Sequence, residues 1–262
     1  MRSIPDSMDP TVVSAIDRRL ADLARAEDVR ILWAVESGSR AWGFPSPDSD
    51  YDCRFFYART VEARLSLWPR RDVLETPLDK VFDVNGWDLS KALTLLVAGN
   101  ATVVEWLHSP IVYDGDAAFR DEVLALARTV VPLDRVRSHH AHLGARHLSY
   151  LTSREVPLKK LFYALRPAFS LHWMARHAGL PPMDLPSLLA ESDVSAELRT
   201  SVVDLVARKA VTRELGTEAA PEVIMEFLHE EFSRAGAEPP PSTEATADQR
   251  ASIDALFRRW IS

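Results

Sequence analysis

The chain has 262 residues, of which 47% are hydrophobic and 26% are charged, and its formal net charge is −7. This composition is typical of folded globular proteins and argues against disordered, collagen-like and coiled-coil chains. No apolar run approaches the roughly 18 residues of a membrane span, no signal peptide is visible, and the single cysteine excludes an intramolecular disulfide and a multi-cysteine metal site. We therefore expect a cytoplasmic protein with no membrane partner.

The first 115 residues mix helical and extended patterns. Residues 11–27 carry apolar side chains at helical spacing, and the apolar run 31–35 has the length of a strand. Further strands are predicted at 51–57, 80–84 and 111–114. We expect Asn85-Gly86 to end the strand at 80–84, the third in chain order, and Asp88 to cap a helix that stops at Gly99-Asn100.

Helical patterns dominate the rest of the chain. They cover residues 119–129, 134–152, 158–178, 195–213, 220–235 and 248–260. Residues 235–246 read as a linker, after which the last helix is expected to dock back. The predicted fold class is α+β, with a small mixed sheet and flanking helices in a catalytic domain (1–115) and a helical substrate-binding domain (116–262).

One stretch, SGSRAWGFPSPDSDYD at residues 37–52, points to chemistry. Asp50 and Asp52 stand two residues apart at the start of a predicted strand, so their side chains share one face, roughly 6.6 Å apart along the backbone. Carboxylate oxygens are the ligands that Mg²⁺ prefers, with Mn²⁺ as an alternative. Such a pair can serve two metal ions about 3.5–4 Å apart, the spacing used in phosphoryl and nucleotidyl displacement.

The other half of this stretch is suited to phosphate. Gly38 has no side chain to block the approach of a phosphate to the backbone, and the Ser39 hydroxyl can donate to one. The turn that follows can present further N–H groups. Gly38, Ser39 and the adjoining Arg40 are therefore the predicted contacts of a nucleoside triphosphate (NTP).

Gly-Ser, ten intervening residues and Asp-x-Asp resemble the motif of the polymerase-β-like nucleotidyltransferases. The resemblance implies transfer of a nucleoside monophosphate from an NTP, with two metal ions and release of pyrophosphate. It also implies a third carboxylate, on a later strand, that binds the catalytic metal. Asp83 is the matching residue. It stands in an otherwise apolar predicted strand, where a buried carboxylate costs several kcal/mol unless it is paired or bound to a metal ion. Asp88 is the alternative, although helix capping is the commoner role at a strand–helix junction.

The resemblance extends over about residues 30–235 to the RNA-ligase-associated branch, whose members are linked to RNA repair. It rests on GWDLSKALTLLVAGNATVVEWLHSPIVYD and KKLFYALRPAFSLHWMARHAGLPPMDL. The preferred acceptor is therefore the 3′ end of an RNA. A partner protein, as in antitoxin-type members, a small molecule, and a nucleotide-binding module without catalysis stay open as alternatives.

Positive charge is concentrated in residues 135–176, which hold eight Lys/Arg and one acid although the whole chain is acidic. Such a segment favours a local anion site over general coating by a polyanion. Lys160, Tyr163 and Arg166 lie on one predicted helix there and are candidates to hold the triphosphate or an acceptor phosphate and to stack on a base. The alternative is a solvated helix face with the tyrosine in the core.

Overall fold

In a computed structural model, which describes residues 1–77, 81–152, 155–212, 216–236 and 244–261, the chain divides into two units. The first comprises the described residues of Met1–Ala41, Asp50–Val131 and Thr243–Ser262, and the second those of Trp42–Ser49 and Pro132–Ser242. The boundary predicted at 115/116 therefore differs from the observed one. The motif loop 42–49 belongs to the second unit, and the C-terminal helix belongs to the first.

The first unit contains a five-stranded sheet with the order β3-β4-β2-β1-β5. Its strands are β1 (Val29–Glu36), β2 (Tyr51–Arg59), β3 (Val73–Glu75), β4 (Phe82–Asp88) and β5 (Val112–Gly115). β4 runs parallel to β2, whereas the other neighbours pair antiparallel. The expected mixed sheet and α+β class are confirmed.

The third predicted strand does not end at Asn85-Gly86, because β4 continues through both residues to Asp88. Gly86 is the register partner of Phe55, and a Cβ on Gly86 would lie 2.2 Å from the Phe55 ring. The glycine thus makes room for an aromatic ring on the sheet and does not form a turn. Lys80, where this strand was predicted to begin, lies outside the described residues.

Helices cover both faces of this sheet. They are α1 (Pro10–Glu27), α2 (Gly38–Ala41), α3 (Val61–Arg64), α4 (Leu89–Val97), α5 (Ala101–His108), α6 (Ala117–Val130) and α12 (Ala247–Ile261). Ile16 of α1 is fully buried against the face that carries Cys53 and Tyr57. On the opposite face, Phe56 contacts the rings of Trp106 and Phe119.

The C-terminal helix docks back, as predicted. Leu256 of α12 is buried, and the Trp260 ring meets Phe119 edge-on with centroids 5.2 Å apart. The Trp260 indole N–H donates to Glu122 Oε2 at 3.0 Å. Residues 237–243, most of the predicted linker, lie outside the described part of the chain.

The second unit is mainly helical. It contains α7 (Leu133–Leu148), α8 (Leu158–Met174), α9 (Leu185–Ala190), α10 (Ala196–Val211), α11 (Glu222–Ala235) and the strand pair β6 (Glu155–Pro157) and β7 (Thr217–Ala219). α7 comes close to α11 because Gly144 leaves space for the Phe232 ring. No helix in the described ranges has both the length and the hydrophobicity needed to cross a bilayer.

Candidate active site

Two of the predicted carboxylates meet on neighbouring parallel strands. Asp52 of β2 and Asp83 of β4 are register partners, and about a third of each side chain is exposed. One nitrogen of Arg54, Nη2, lies 2.9 Å from Asp52 Oδ1 and 2.9 Å from Asp83 Oδ2. Two negative charges therefore converge on a single cation.

The position of this pair follows from the alternation of β2. Asp52, Arg54 and Phe56 share one face of the strand, since side chains two residues apart point the same way. Phe56 is buried under Trp106, whereas Arg54 and Asp52, nearer the start of the strand, stay partly exposed. The site thus forms where the helical cover of this face ends.

Asp50, the third predicted ligand, stands apart from the pair. It is exposed and immediately precedes β2, and its carbonyl oxygen accepts a hydrogen bond from Arg40 Nε at 3.2 Å. Among the residues that the structure describes, no three His, Cys, Asp or Glu side chains are gathered closely enough to hold a metal ion. The structure therefore brings Asp52 and Asp83 together and leaves Asp50 beside them in sequence only.

Gly38 lies directly against the Asp52 side chain. Its φ is +60°, a left-handed conformation that favours glycine, and a Cβ there would lie 2.0 Å from Asp52 Oδ2. The Ser37 backbone N–H donates to the Asp52 carbonyl oxygen at 2.8 Å, which ties the two halves of the motif together. Of the adjoining predicted residues, Ser39 is half-buried, and the Arg40 guanidinium lies 3.9 Å from the centroid of the Tyr51 ring.

A buried acid that the sequence analysis missed lies behind Asp52. Glu36 Oε1 accepts a hydrogen bond from the Asp52 backbone N–H at 2.9 Å, and Oε2 accepts one from the Tyr113 hydroxyl. Burial raises the pKa of Glu36 to about 7, although both hydrogen bonds act in the opposite direction. An acid that ends the apolar run of β1 was the available signal.

Asp88, the alternative third carboxylate, is engaged elsewhere. It lies five residues beyond Asp83 on β4, about 16 Å away along an extended strand. Its side chain accepts from the Ser90 backbone N–H at 2.8 Å and pairs with Arg64 at 3.0 Å. The predicted helix cap is confirmed, and the structure places Asp83, not Asp88, beside Asp52.

Comparisons with known proteins agree with this geometry. The model of the RNA repair pathway DNA polymerase beta family matches residues 12–259. The chain belongs to this family. It is also 38% identical over 221 residues to the uncharacterized protein YcgL of Bacillus subtilis (strain 168), an alignment that covers 83% of this chain and 85% of the relative. Membership in a polymerase beta family points to a nucleotidyltransferase, and the family description links it to RNA repair.

The three predicted contacts of the basic segment, Lys160, Tyr163 and Arg166, lie on α8 in the second unit. Lys160 Nζ is 4.7 Å from the centroid of the Tyr150 ring. The half-buried Tyr163 meets the Trp42 ring edge-on, with centroids 5.5 Å apart.

Arg166 differs from the expectation of a presented cation. It is only 3% exposed, its guanidinium lies 4.5 Å from the centroid of the Trp42 ring, and Nη1 is 3.4 Å from the Met183 carbonyl oxygen. The side chain of Lys160 is half-buried, whereas that of Arg166 is buried. Tyr163 and Arg166 both contact the Trp42 ring, so segment 42–49 covers this part of α8.

Proposed function

We propose that this chain is a metal-dependent nucleotidyltransferase that adds a nucleoside monophosphate to the 3′ end of an RNA. The observation that carries the proposal is the register pairing of Asp52 with Asp83, beside a glycine that leaves room at the Asp52 carboxylate. Membership in a polymerase beta family supports the reaction class, and the RNA repair description supports the acceptor.

The carboxylates fit a hard divalent cation. Asp52 and Asp83 each place one oxygen 2.9 Å from the same Arg54 nitrogen, and this convergence of two carboxylates on one positive group supports the assignment. Asp50, which stands apart from the pair in the structure, would add a further oxygen ligand only after moving toward it. Bound Mg²⁺ or Mn²⁺ supplies charge stabilisation for an in-line displacement.

The chain's own residues then have distinct roles. Asp83 would orient the attacking hydroxyl and accept its proton, while the hydroxyl oxygen bonds to the α-phosphorus and the bond from that phosphorus to the leaving pyrophosphate breaks. Gly38, Ser39 and Arg40 receive the β- and γ-phosphates, because a side chain at Gly38 would fill the space against Asp52. Glu36 positions Asp52 through the backbone N–H of that residue.

The acceptor is assigned from charge. Metal ions and the Gly-Ser turn would bind the phosphates of the NTP. The number of basic residues in 135–176 is therefore larger than one nucleotide requires. A second phosphate-bearing ligand accounts for them, and Lys160 and Tyr163 suit a phosphate and a base of RNA. The buried Arg166 supports this surface from within, through Trp42.

Transfer of label tests the proposal. The protein is incubated with Mg²⁺, each α-labelled NTP in turn, and an RNA that ends in a 3′ hydroxyl or, as control, a 3′ phosphate. We expect label and pyrophosphate only with the 3′ hydroxyl. D52N and D83N should each lower the transfer rate by at least about 10–100-fold, which is the usual effect of losing a residue that only supports a metal ligand. D88N is the matched control and should keep the rate.

Other results would redirect the assignment. Label in a protein or a small molecule would replace the RNA acceptor. Binding of Mg·NTP without pyrophosphate release, with any acceptor from a total lysate, would reduce the chain to a nucleotide-binding module.

A further inference from the structure

Arg54 stands where the proposed function needs a metal ion. We propose that its guanidinium is a built-in competitor of the divalent cation, so that the site binds metal well only together with a triphosphate. The inference rests on the proposed function. It adds Arg54 as a residue that couples the binding of the metal ion to the binding of the nucleotide.

The geometry is that of a bridging cation. Arg54 Nη2 is 2.9 Å from an oxygen of each carboxylate, and Nη1 is 3.0 Å from the Cys53 carbonyl oxygen and 3.3 Å from that of Asp83. Only 18% of the Arg54 side chain is exposed. Hydrogen bonds to charged groups contribute more to stability than hydrogen bonds between neutral groups, so this bridge is costly to open.

A divalent cation and the guanidinium cannot both occupy the space between Asp52 and Asp83. Their charges repel at short range, and both would use the same oxygens, Asp52 Oδ1 and Asp83 Oδ2. Metal binding therefore has to displace the Arg54 head group, and metal alone offers that group no anion in return.

A triphosphate removes this penalty. Phosphate oxygens match the fork of a guanidinium, so an NTP that arrives with the metal supplies a new partner for Arg54. Metal and nucleotide should consequently raise each other's affinity, and by linkage the effect is reciprocal.

A second arginine, Arg64 at the end of α3, provides a matched control. Arg64 is 19% exposed and pairs with Asp88 of β4 at 3.0 Å. That pair involves one carboxylate, which also caps α4, so it has the form of a structural ion pair. Neutralising Arg64 changes charge and stability without freeing the Asp52–Asp83 pair.

The experiment measures Mn²⁺ binding by the loss of the free-ion electron paramagnetic resonance signal, with and without a non-hydrolysable α,β-methylene NTP. We expect R54Q to bind Mn²⁺ alone at least about tenfold more tightly than the wild type. The nucleotide should then improve Mn²⁺ affinity less in R54Q than in the wild type. R64Q should match the wild type in both measurements, and circular dichroism checks that each variant is folded.

R54K keeps the positive charge but loses the forked guanidinium, so its Mn²⁺ affinity without nucleotide should lie between those of R54Q and the wild type. It replaces R54Q in the experiment if R54Q does not fold. If the wild type binds Mn²⁺ with nucleotide but the folded Arg54 variant binds metal alone no better, the competitor role is wrong and the proposed function stands. If no variant binds Mn²⁺ even with nucleotide, both proposals are overturned.

Discussion

Gly38, which has no side chain, and the buried side chain of Glu36 set the local geometry of the candidate site. Gly38 lies so close to Asp52 that any Cβ would collide with the carboxylate, and its left-handed backbone disfavours other residues. Glu36 holds the backbone of the same aspartate from the opposite side, within the core. Asp52 is therefore positioned from two directions, by Gly38 at its carboxylate and by Glu36 at its backbone N–H.

Replacement of Gly38 by alanine tests this positioning. The left-handed conformation alone costs a residue with a Cβ roughly 1–2 kcal/mol, and relief of the clash has to move Asp52. We expect G38A to lower the melting temperature modestly and to lower the transfer rate by more than that loss explains. G216A is the control, because no atom of the residues that the structure describes lies within 4 Å of a Cβ at Gly216. Equal activities of the two variants would show that the Asp52 carboxylate tolerates displacement.

The pKa of Glu36 makes a pH-dependent contribution to stability. Burial raises that pKa from 4.5 to about 7, so between these pH values the folded protein binds a proton that the unfolded chain has released. The free energy of unfolding therefore falls as pH rises through this window, by about 3 kcal/mol for such a shift. Tyr113, Asp52, Arg40 and Cys53 lie close to Glu36, and Tyr113 keeps its hydrogen-bond donor in either state.

Glu36→Gln removes this titration. We expect its unfolding free energy, measured with urea from pH 4.5 to 8, to gain on the wild type by about 3 kcal/mol across the range. Curves that stay parallel would show that Glu36 is ionised in the folded protein throughout.

At the scale of elements, a helix distant in sequence completes the first unit. α12 brings Trp260 against Phe119 of α6, and the Arg30 guanidinium of β1 lies 5.8 Å from the centroid of the Trp260 ring. The sheet that carries Asp52 is thus supported on one face by the last helix of the chain. A division of the chain near residue 115 would have left this face without α12.

Trp260→Ala should destabilise the first unit by about 2 kcal/mol, less than for a fully buried tryptophan because Trp260 is half-buried. Trp68→Ala is the control, since that side chain is 82% exposed and its loss should change stability by no more than about 0.5 kcal/mol. Urea unfolding compares the two. If both variants lose the same stability, the docking of α12 contributes nothing measurable.

At the scale of the whole molecule, charge is distributed unevenly. The chain carries a net charge of −7, yet residues 135–176 hold eight basic residues and one acid. The buried Arg166 is engaged within the second unit, and Arg154 lies outside the described residues. At least one of the eight cations is thus engaged inside the protein, so we expect the proposed RNA to make fewer phosphate contacts than the count of basic residues.

Salt dependence measures those contacts. For single-stranded RNA, each neutralised phosphate lowers log K by about 0.7 per unit of log salt, so three contacts predict roughly 18-fold weaker binding after a fourfold rise in salt. Lys160→Ala should reduce the slope by nearly one contact and leave Mg·NTP affinity unchanged. Arg166→Ala should instead lower stability, because it removes a buried group from the Trp42 ring. RNA affinity that does not change with salt would contradict the RNA acceptor.

The sequence by itself determined the local features of this protein. Apolar runs predicted four of the sheet strands, helical spacing predicted α1 and the later helices, and Asp88 was identified as a cap. The Gly-Ser to Asp-x-Asp spacing identified the family, which the family model confirms. These features depend on residues only a few positions apart, and that is the range over which periodicity and capping act.

Only the tertiary structure decided what meets Asp52. The parallel pairing of β4 with β2 sets Asp83 opposite Asp52 and carries Asp88 to the other end of the strand. The burial of Glu36 and the bridge of Arg54 likewise depend on strands brought together from distant parts of the chain. Register between strands arises from packing of a whole sheet, and no pattern within one strand contains it.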